Sequence, residues 1–283
     1  MAQVESSGKP AIAAAAPNRR AWGLRRMSPS RRRALRRSIT ASIVILIAWE
    51  LVGRYILTNR LFFVPISSVA VAALQMWRSG ELQTDIIASF SAVGYGMVLA
   101  VIVGIAIGIF SGASQAFREY TDGIIAALYA TPLIAIAPIL ILWFGIGPPS
   151  KIAVVFLMAI FPILINTGAG IRNTPSSYID VAQSFGATRG QIIWKVMVPA
   201  AVPFVVTGIR LAIGRAIVGV VVGELFGARA GLGFLIFTAG QTFDVPQLFV
   251  GVVTLAILGM VLNFGMRWIE NWVSQWRQSP LEE

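Results

Sequence analysis

The sequence predicts an all-α membrane protein with six transmembrane helices and one structured polar loop. Three observations point there. Of 283 residues, 57% are apolar and 12% are charged, whereas an ordinary soluble domain carries about 25% charged residues. Six runs, roughly 40–57, 87–111, 123–146, 152–171, 199–226 and 246–267, approach the length and apolarity that let a helix cross a bilayer. Positive charge is also skewed along the chain in the way that orients membrane proteins.

Residues 1–38 hold Lys9 and Arg19, Arg20, Arg25, Arg26, Arg31, Arg32, Arg33, Arg36 and Arg37 against Glu5 alone. A nucleic-acid arm would need a base- or backbone-reading fold behind it, and none follows. Ser30-Arg31-Arg32-Arg33 has the look of a twin-arginine export signal, but the apolar run after it lacks a small-x-small cleavage site and contains Glu50. The stretch reads as a disordered cytoplasmic tail whose arginines fix orientation. With the tail inside, the loops alternate. Arg118, Arg172, Arg189, Lys195, Arg267 and Arg277 then also fall inside, and only Arg60, Arg78, Lys151 and Arg229 outside. Both termini face the cytoplasm on this reading. The membrane domain spans 39–277, and 278–283 form a short tail.

The chain has no Cys and no His, which removes disulfides, thiol nucleophiles, imidazole bases and the usual zinc and haem ligands. No two carboxylates have a spacing that suggests acid–base work. No cofactor and no enzymatic activity are expected of this chain. A GxxxxGK[ST] phosphate loop is absent, so ATP would have to be bound elsewhere.

Taken in order, the first run carries Glu50 and Arg54 at i, i+4. Paired on one helix face they lower the cost of two ionisable groups in lipid, and a transport role is the alternative. Residues 64–86 read as a short amphipathic element on the outer side, too polar and too short to span. In the second run Ala100, Gly104, Gly108 and Gly112 recur every four residues, a face that lets helix backbones approach closely. The third holds Pro132 and Pro138 and the fourth Pro162 and Asn166; prolines in spans mark kinks, from packing or beside a pathway. The fifth carries Arg210, Arg215 and Glu224 among further small-residue steps, and such charges must face protein or water, at a subunit interface or a pathway. Beyond it, Gly231 and Gly233 bracket Leu232 in a turn. The sixth has Asn263 and ends in RWIENWVSQWR, an interfacial belt of Trp and Arg.

Between the fourth and fifth runs lies the polar loop, 175–199. Its spacing predicts two short helices broken at Gly186. Ser177 is placed to cap the first, with Asp180 three residues on, and Thr188 the second, with Gln191 three residues on. Gly186 supplies a left-handed residue between them, and Pro199 closes the second. Tyr178, Val181, Ala182 and Phe185 fall at i, i+3, i+4 and i+7, giving an apolar face on a short loop.

This loop resembles the EAA loop of ABC importer permeases, whose pattern is Glu-Ala-Ala, three residues, Gly, nine residues, Ile, one residue, Leu-Pro. Here it stands as Asp180, Val181, Ala182, then Gly186, then Val196, Val198 and Pro199. Other stretches resemble the nitrate/sulfonate/taurine/bicarbonate branch of that family: Ala137-Pro138, LWFGIG at 142–147, SKI at 150–152, FPILINT at 161–167, GIRLAIG at 208–214 and GELFGARAGLGFLI at 223–236. Ala92 stands where the branch is expected to show Arg. The resemblance implies a type I importer fold and a bacterial inner-membrane location. It further implies two permease copies around the pathway, two ATPase subunits gripping the coupling loops, and a periplasmic binding protein that delivers solute. Asp180, Ala182, Phe185 and Gly186 are the coupling contacts it implies, and Arg210 and Arg215 suit an anionic solute. An ATP-independent secondary transporter or channel is the alternative; no long internal repeat supports it.

Overall fold

The computed structural model of the chain describes residues 29–57 and 63–274. It divides into two units, residues 1–48 and 49–283. In the first, helix α1 (Pro29–Leu51) starts at Pro29, so the last ten residues of the expected tail are helical. The sequence RRRALRR is made of good helix formers behind a proline suited to a first helical position. The rest of that tail, Arg60, Arg277 and the tail at 278–283 lie outside the described residues.

In the second unit α1 runs into a π turn (Val52–Ile56). Then follow α2 (Ile66–Ser79), α3 (Glu81–Ala113), α4 (Gln115–Ala130), a 3₁₀ turn (Leu133–Ile136), α5 (Ala137–Phe144) and α6 (Pro148–Arg172). The chain continues through α7 (Ser176–Ser184), α8 (Arg189–Ile192), a second π turn (Ile193–Met197), α9 (Val198–Gly227), α10 (Leu232–Gln241) and α11 (Val245–Ser274). Among the described residues four helices are long and apolar enough to cross a membrane: α3, α6, Arg189–Gly227 and Val245–Glu270. The run at 123–146 is broken by 86° between α4 and the segment Leu133–Phe144, and this bent pair would make a fifth. Thr131-Pro132 stands at the break. The run at 40–57 lies on α1 and its π turn and is not among the four. Glu50 and Arg54 interrupt its apolar end, leaving too short an uncharged stretch after Arg37.

The outer element expected at 64–86 ends at Gly80, whose φ of +86° turns the chain, and 81–86 open α3. Glycine is needed there because a Cβ disfavours the left-handed region. Val69, Ala72 and Met76 form the buried face of α2.

The body is built on α3, α6 and α9, and small residues set their spacing. A Cβ on Gly96 would meet Val155, on Gly104 Ile163, on Gly108 Thr167 and on Gly112 Ile171, the last two at 2.5 Å. Both helices advance together, by eight residues and then by four and four, and in the same sense, so α3 and α6 run parallel with interlocked i, i+4 ridges. Helix α9 packs antiparallel on another face of α6: Gly208 against Pro162 and Asn166, Gly219 against Met158, Gly223 against Lys151. Ala92, where an Arg was expected from resemblance, is buried among these apolar residues.

Candidate functional site

The loop between α6 and α9 combines an exposed apolar helix with a rigid attachment. Pro175 precedes α7 in an extended conformation, so the helix begins at Ser176 and Ser177 lies inside its first turn. Ser177 therefore does not cap α7, contrary to the spacing argument, and Asp180 takes no part in a cap either. The far end of α7 does close as expected. Gly186 has φ +75°, its N–H donates to the Gln183 carbonyl at 2.8 Å, and the Ala187 N–H donates to the Ala182 carbonyl at 3.0 Å. Those two bonds are the paired closure of a helix by a left-handed glycine.

The capping box at Thr188 is present. The Gln191 N–H donates to Thr188 Oγ1, and the Thr188 N–H donates to Gln191 Oε1 at 2.8 Å. Arg189 donates from Nη2 to the carbonyl of Ala113, the last residue of α3, at 3.2 Å. Pro199 does not end the second loop helix. The backbone widens into the π turn at Ile193–Met197, where the Val198 N–H reaches Ile193, and the helix continues as α9. A proline has no N–H for the carbonyl four residues back and its ring crowds that carbonyl; the wider turn just before Pro199 accommodates both. Arg189–Gly227 is thus one helical piece of 39 residues. On α7, Tyr178, Val181 and Phe185 are exposed, Phe185 at 88%, and Ala182 is half-buried.

The charged residues of the spans have separate fates. Glu50 pairs with Arg54 at 3.0 Å and also accepts from Ser67 Oγ at 2.9 Å and the Ser67 N–H at 3.1 Å. It thereby anchors the first turn of α2, where unpaired amides favour a carboxylate. Arg210 pairs with Glu270 of α11 at 2.8 Å. Arg215 has no hydrogen-bond or ion-pair partner among the described residues and is exposed. Glu224 is 0% exposed.

Around Glu224 the structure gathers residues that sequence reasoning left apart. Ser89 Oγ donates to its carboxylate at 2.8 Å, the Gly233 N–H at 2.8 Å, and Lys151 Nζ at 3.4 Å. Lys151 also donates to the Ala230 carbonyl at 2.8 Å. Ser89 Oγ in turn accepts from the Leu232 N–H at 2.8 Å, and Asp85 Oδ1 accepts from the Gly231 N–H at 2.7 Å. Three successive amides opening α10 are thus met by two carboxylates and a hydroxyl, with Lys151 offsetting the charge of Glu224. Gly231 has φ +134°, and a Cβ there would sit 2.1 Å from Glu224 Oε1. Two expectations change. Lys151 is a buried residue of the first turns of α6 instead of an outer loop charge, and Gly231-Leu232-Gly233 starts a helix instead of forming only a turn. The available signal was a buried-type Glu in one apolar run and a Lys heading another.

Residues 104–278 match the family described as binding-protein-dependent transport system inner membrane component. The chain is 32% identical over 251 residues to the taurine transport system permease protein TauC of Escherichia coli (strain K12), covering 86% of this chain and 91% of that one. It is 31% identical over 271 residues to the putative aliphatic sulfonates transport permease protein SsuC of Bacillus subtilis (strain 168), covering 96% and 98%. Among solved structures, a chain of the inward-facing MetNI methionine ABC transporter superposes with a TM-score of 0.62 at 20% identity, over 70% of this chain and 97% of that one.

Proposed function

The chain belongs to the family of binding-protein-dependent transport system inner membrane components, with the fold of type I ABC importer transmembrane subunits, and on that premise we propose that it is the permease of an ATP-driven importer worked through the loop at 175–199. The observation that carries this reading is the exposed face of α7, with Phe185 at its tip. Tyr178, Val181, Ala182 and Phe185 form the apolar contact, Asp180 a polar one at its side, and Gly186 the turn that sets α7 against α8. Pro199, beyond the π turn, lies where the loop becomes α9. An apolar helical face in water is a docking surface for a groove on a soluble partner.

That partner is an ATPase subunit, one for each of two permease copies around a shared pathway, with an exported binding protein delivering solute from the opposite side. Hydrolysis resides on the ATPase, and nothing is catalysed covalently in this chain. Closure of the ATPase pair moves α7 and α8, and the body responds by rigid-body switching between access states. The multi-pass chain sits in a bacterial inner membrane, among lipid, with loop and termini on the cytoplasmic side. The solute is a small anion; the relatives named for taurine and aliphatic sulfonates support a sulfonate-bearing one.

The test is Phe185→Asp and Gly186→Val in the complex reconstituted with its ATPase. A buried aromatic anchor is worth about 2 kcal/mol or more at an interface, roughly thirtyfold in affinity, so Phe185→Asp loses ATPase co-purification while insertion persists. Gly186→Val forces a β-branched residue to positive φ, costing roughly 1–3 kcal/mol, and uncouples hydrolysis from uptake. Wild-type ATPase binding and uptake in both variants would defeat the proposal.

A further inference from the structure

One exposed stripe runs along α9: Leu211, Gly214, Arg215 and Val218, spaced i, i+3, i+4 and i+7. Leu211 is 52% and Val218 43% exposed, and a Cβ added at Gly214 would meet nothing within 4 Å. Arg215 is the charge on this stripe. Its depth follows from the packing of α9 on α6. Gly208 faces Ile163 and Asn166, and Gly219 faces Met158. Arg215 therefore stands level with the middle of α6 (Pro148–Arg172). About 25 Å of helix separates it from Val198 and about 18 Å from Gly227. An arginine stem cannot snorkel that far to either interface.

A guanidinium at this depth needs water, a carboxylate or a bound anion. The described residues supply no free carboxylate. Glu270 is committed to Arg210 at 2.8 Å, Glu50 to Arg54 and Ser67, Glu224 to the Lys151 cluster, and Asp85 to the Gly231 amide. Glu119 and Asp122 lie in the first two turns of α4, next to the end of α3, Glu81 and Asp244 lie at helix ends, and Asp180 lies on the loop helix α7. A second copy related by an axis along the membrane normal keeps every residue at its own depth. It therefore brings no free carboxylate of the described residues to the level of Arg215.

We infer that Arg215 is the fixed cation of the translocation pathway, the group that a small oxyanion such as a sulfonate or carboxylate meets at the middle of the membrane. The inference rests on the permease reading. Arg210, neutralised by Glu270, ties α9 to α11. The planar guanidinium of Arg215 offers paired N–H donors that match two oxygens of a sulfonate or carboxylate.

The absence of cysteine from the chain makes the test direct. Leu211→Cys and Val218→Cys are introduced singly into the complex assembled with its ATPase in membrane vesicles, with Ile257→Cys on the exposed face of α11 as the lipid control. Each is treated with two water-soluble thiol reagents, the anionic 2-sulfonatoethyl and the cationic 2-(trimethylammonium)ethyl methanethiosulfonate. Both stripe positions should react and the control should not. The anionic reagent should be favoured by on the order of tenfold over the same pair in an Arg215→Gln background, with Arg215→Lys keeping most of the preference. Two results would overturn the inference with the complex intact: no reaction at Leu211→Cys and Val218→Cys, or a reagent preference indifferent to Arg215→Gln. Failure of the permease reading shows separately, as loss of ATPase association in the unmodified chain.

Discussion

Replacing Lys151 with Ala removes the one cation beside a carboxylate that has no contact with solvent. Glu224 keeps Ser89 Oγ and the Gly233 N–H, but the charge is left uncompensated, and the Ala230 carbonyl loses its donor. Breaking one side of a buried ion pair costs about 3–5 kcal/mol, and an orphaned carbonyl adds roughly 1–3 kcal/mol where water cannot reach it. Lys151→Ala should therefore destabilise the protein by about 3–5 kcal/mol at least, with α10 loosening first because three of its opening amides depend on this cluster. Glu224→Gln alone leaves the ammonium buried and should cost a similar amount. The double variant Lys151→Met/Glu224→Gln removes both charges while keeping volume and a side-chain acceptor. It should cost much less than the two single changes together. Equilibrium unfolding in detergent gives the three free energies, and hydrogen exchange at residues 231–241 reports the local effect. Single changes that each cost under about 1 kcal/mol, or that add without coupling, would refute the account of this cluster.

The glycine contacts of α3 give a paired prediction. Gly108→Val should destabilise the protein by roughly 1–3 kcal/mol or more, since a Cβ would lie 2.5 Å from Thr167 Cβ and 2.8 Å from the Leu164 carbonyl. Gly94→Ala meets nothing within 4 Å and should be neutral or stabilising by up to about 1 kcal/mol; detergent unfolding midpoints distinguish the two. Thr188→Ala removes the capping box and should cost about 1 kcal/mol, seen as faster amide exchange at residues 188–192 with the α3–α6 contacts unchanged. Glu50→Ala should free the start of α2, raising exchange at Ser67 and Ser68; unchanged exchange there would show that the Glu50–Ser67 bonds do not hold it.

The long apolar runs and the four-residue spacing of small residues were legible because each is a local rule: length against bilayer thickness, and a helical period that keeps one face small. The Gly186 closure and the Thr188 box were legible for the same reason, since a cap is decided within four residues. Ser177 misled because Pro175 set the helix start two residues earlier than the serine required. Pro199 misled because a π turn can accommodate a proline, and nothing local in Ile193–Met197 announces that turn. The cluster around Glu224 was illegible because its members come from α3, α6, α9 and α10, with Ser89 and Glu224 separated by 135 positions. Pairings at that range are set by which helices pack.

On the proposed mechanism, what the loop can transmit depends on how it is attached. Helices α8 and α9 form one piece that extends from the loop through the membrane, about 58 Å at helical rise. Along that length α9 lies on α6 through glycines, where backbones meet without long side chains to yield between them. Such contacts resist gradual deformation and favour movement of α3, α6 and α9 together. At the loop end Arg189 fastens α8 to the last carbonyl of α3, and at the other end the Glu224 cluster fastens α9 to α3, α6 and α10. A push on Phe185 would then tilt this trio as one body. The stripe bearing Arg215 would move with it, past whatever faces it across the pathway.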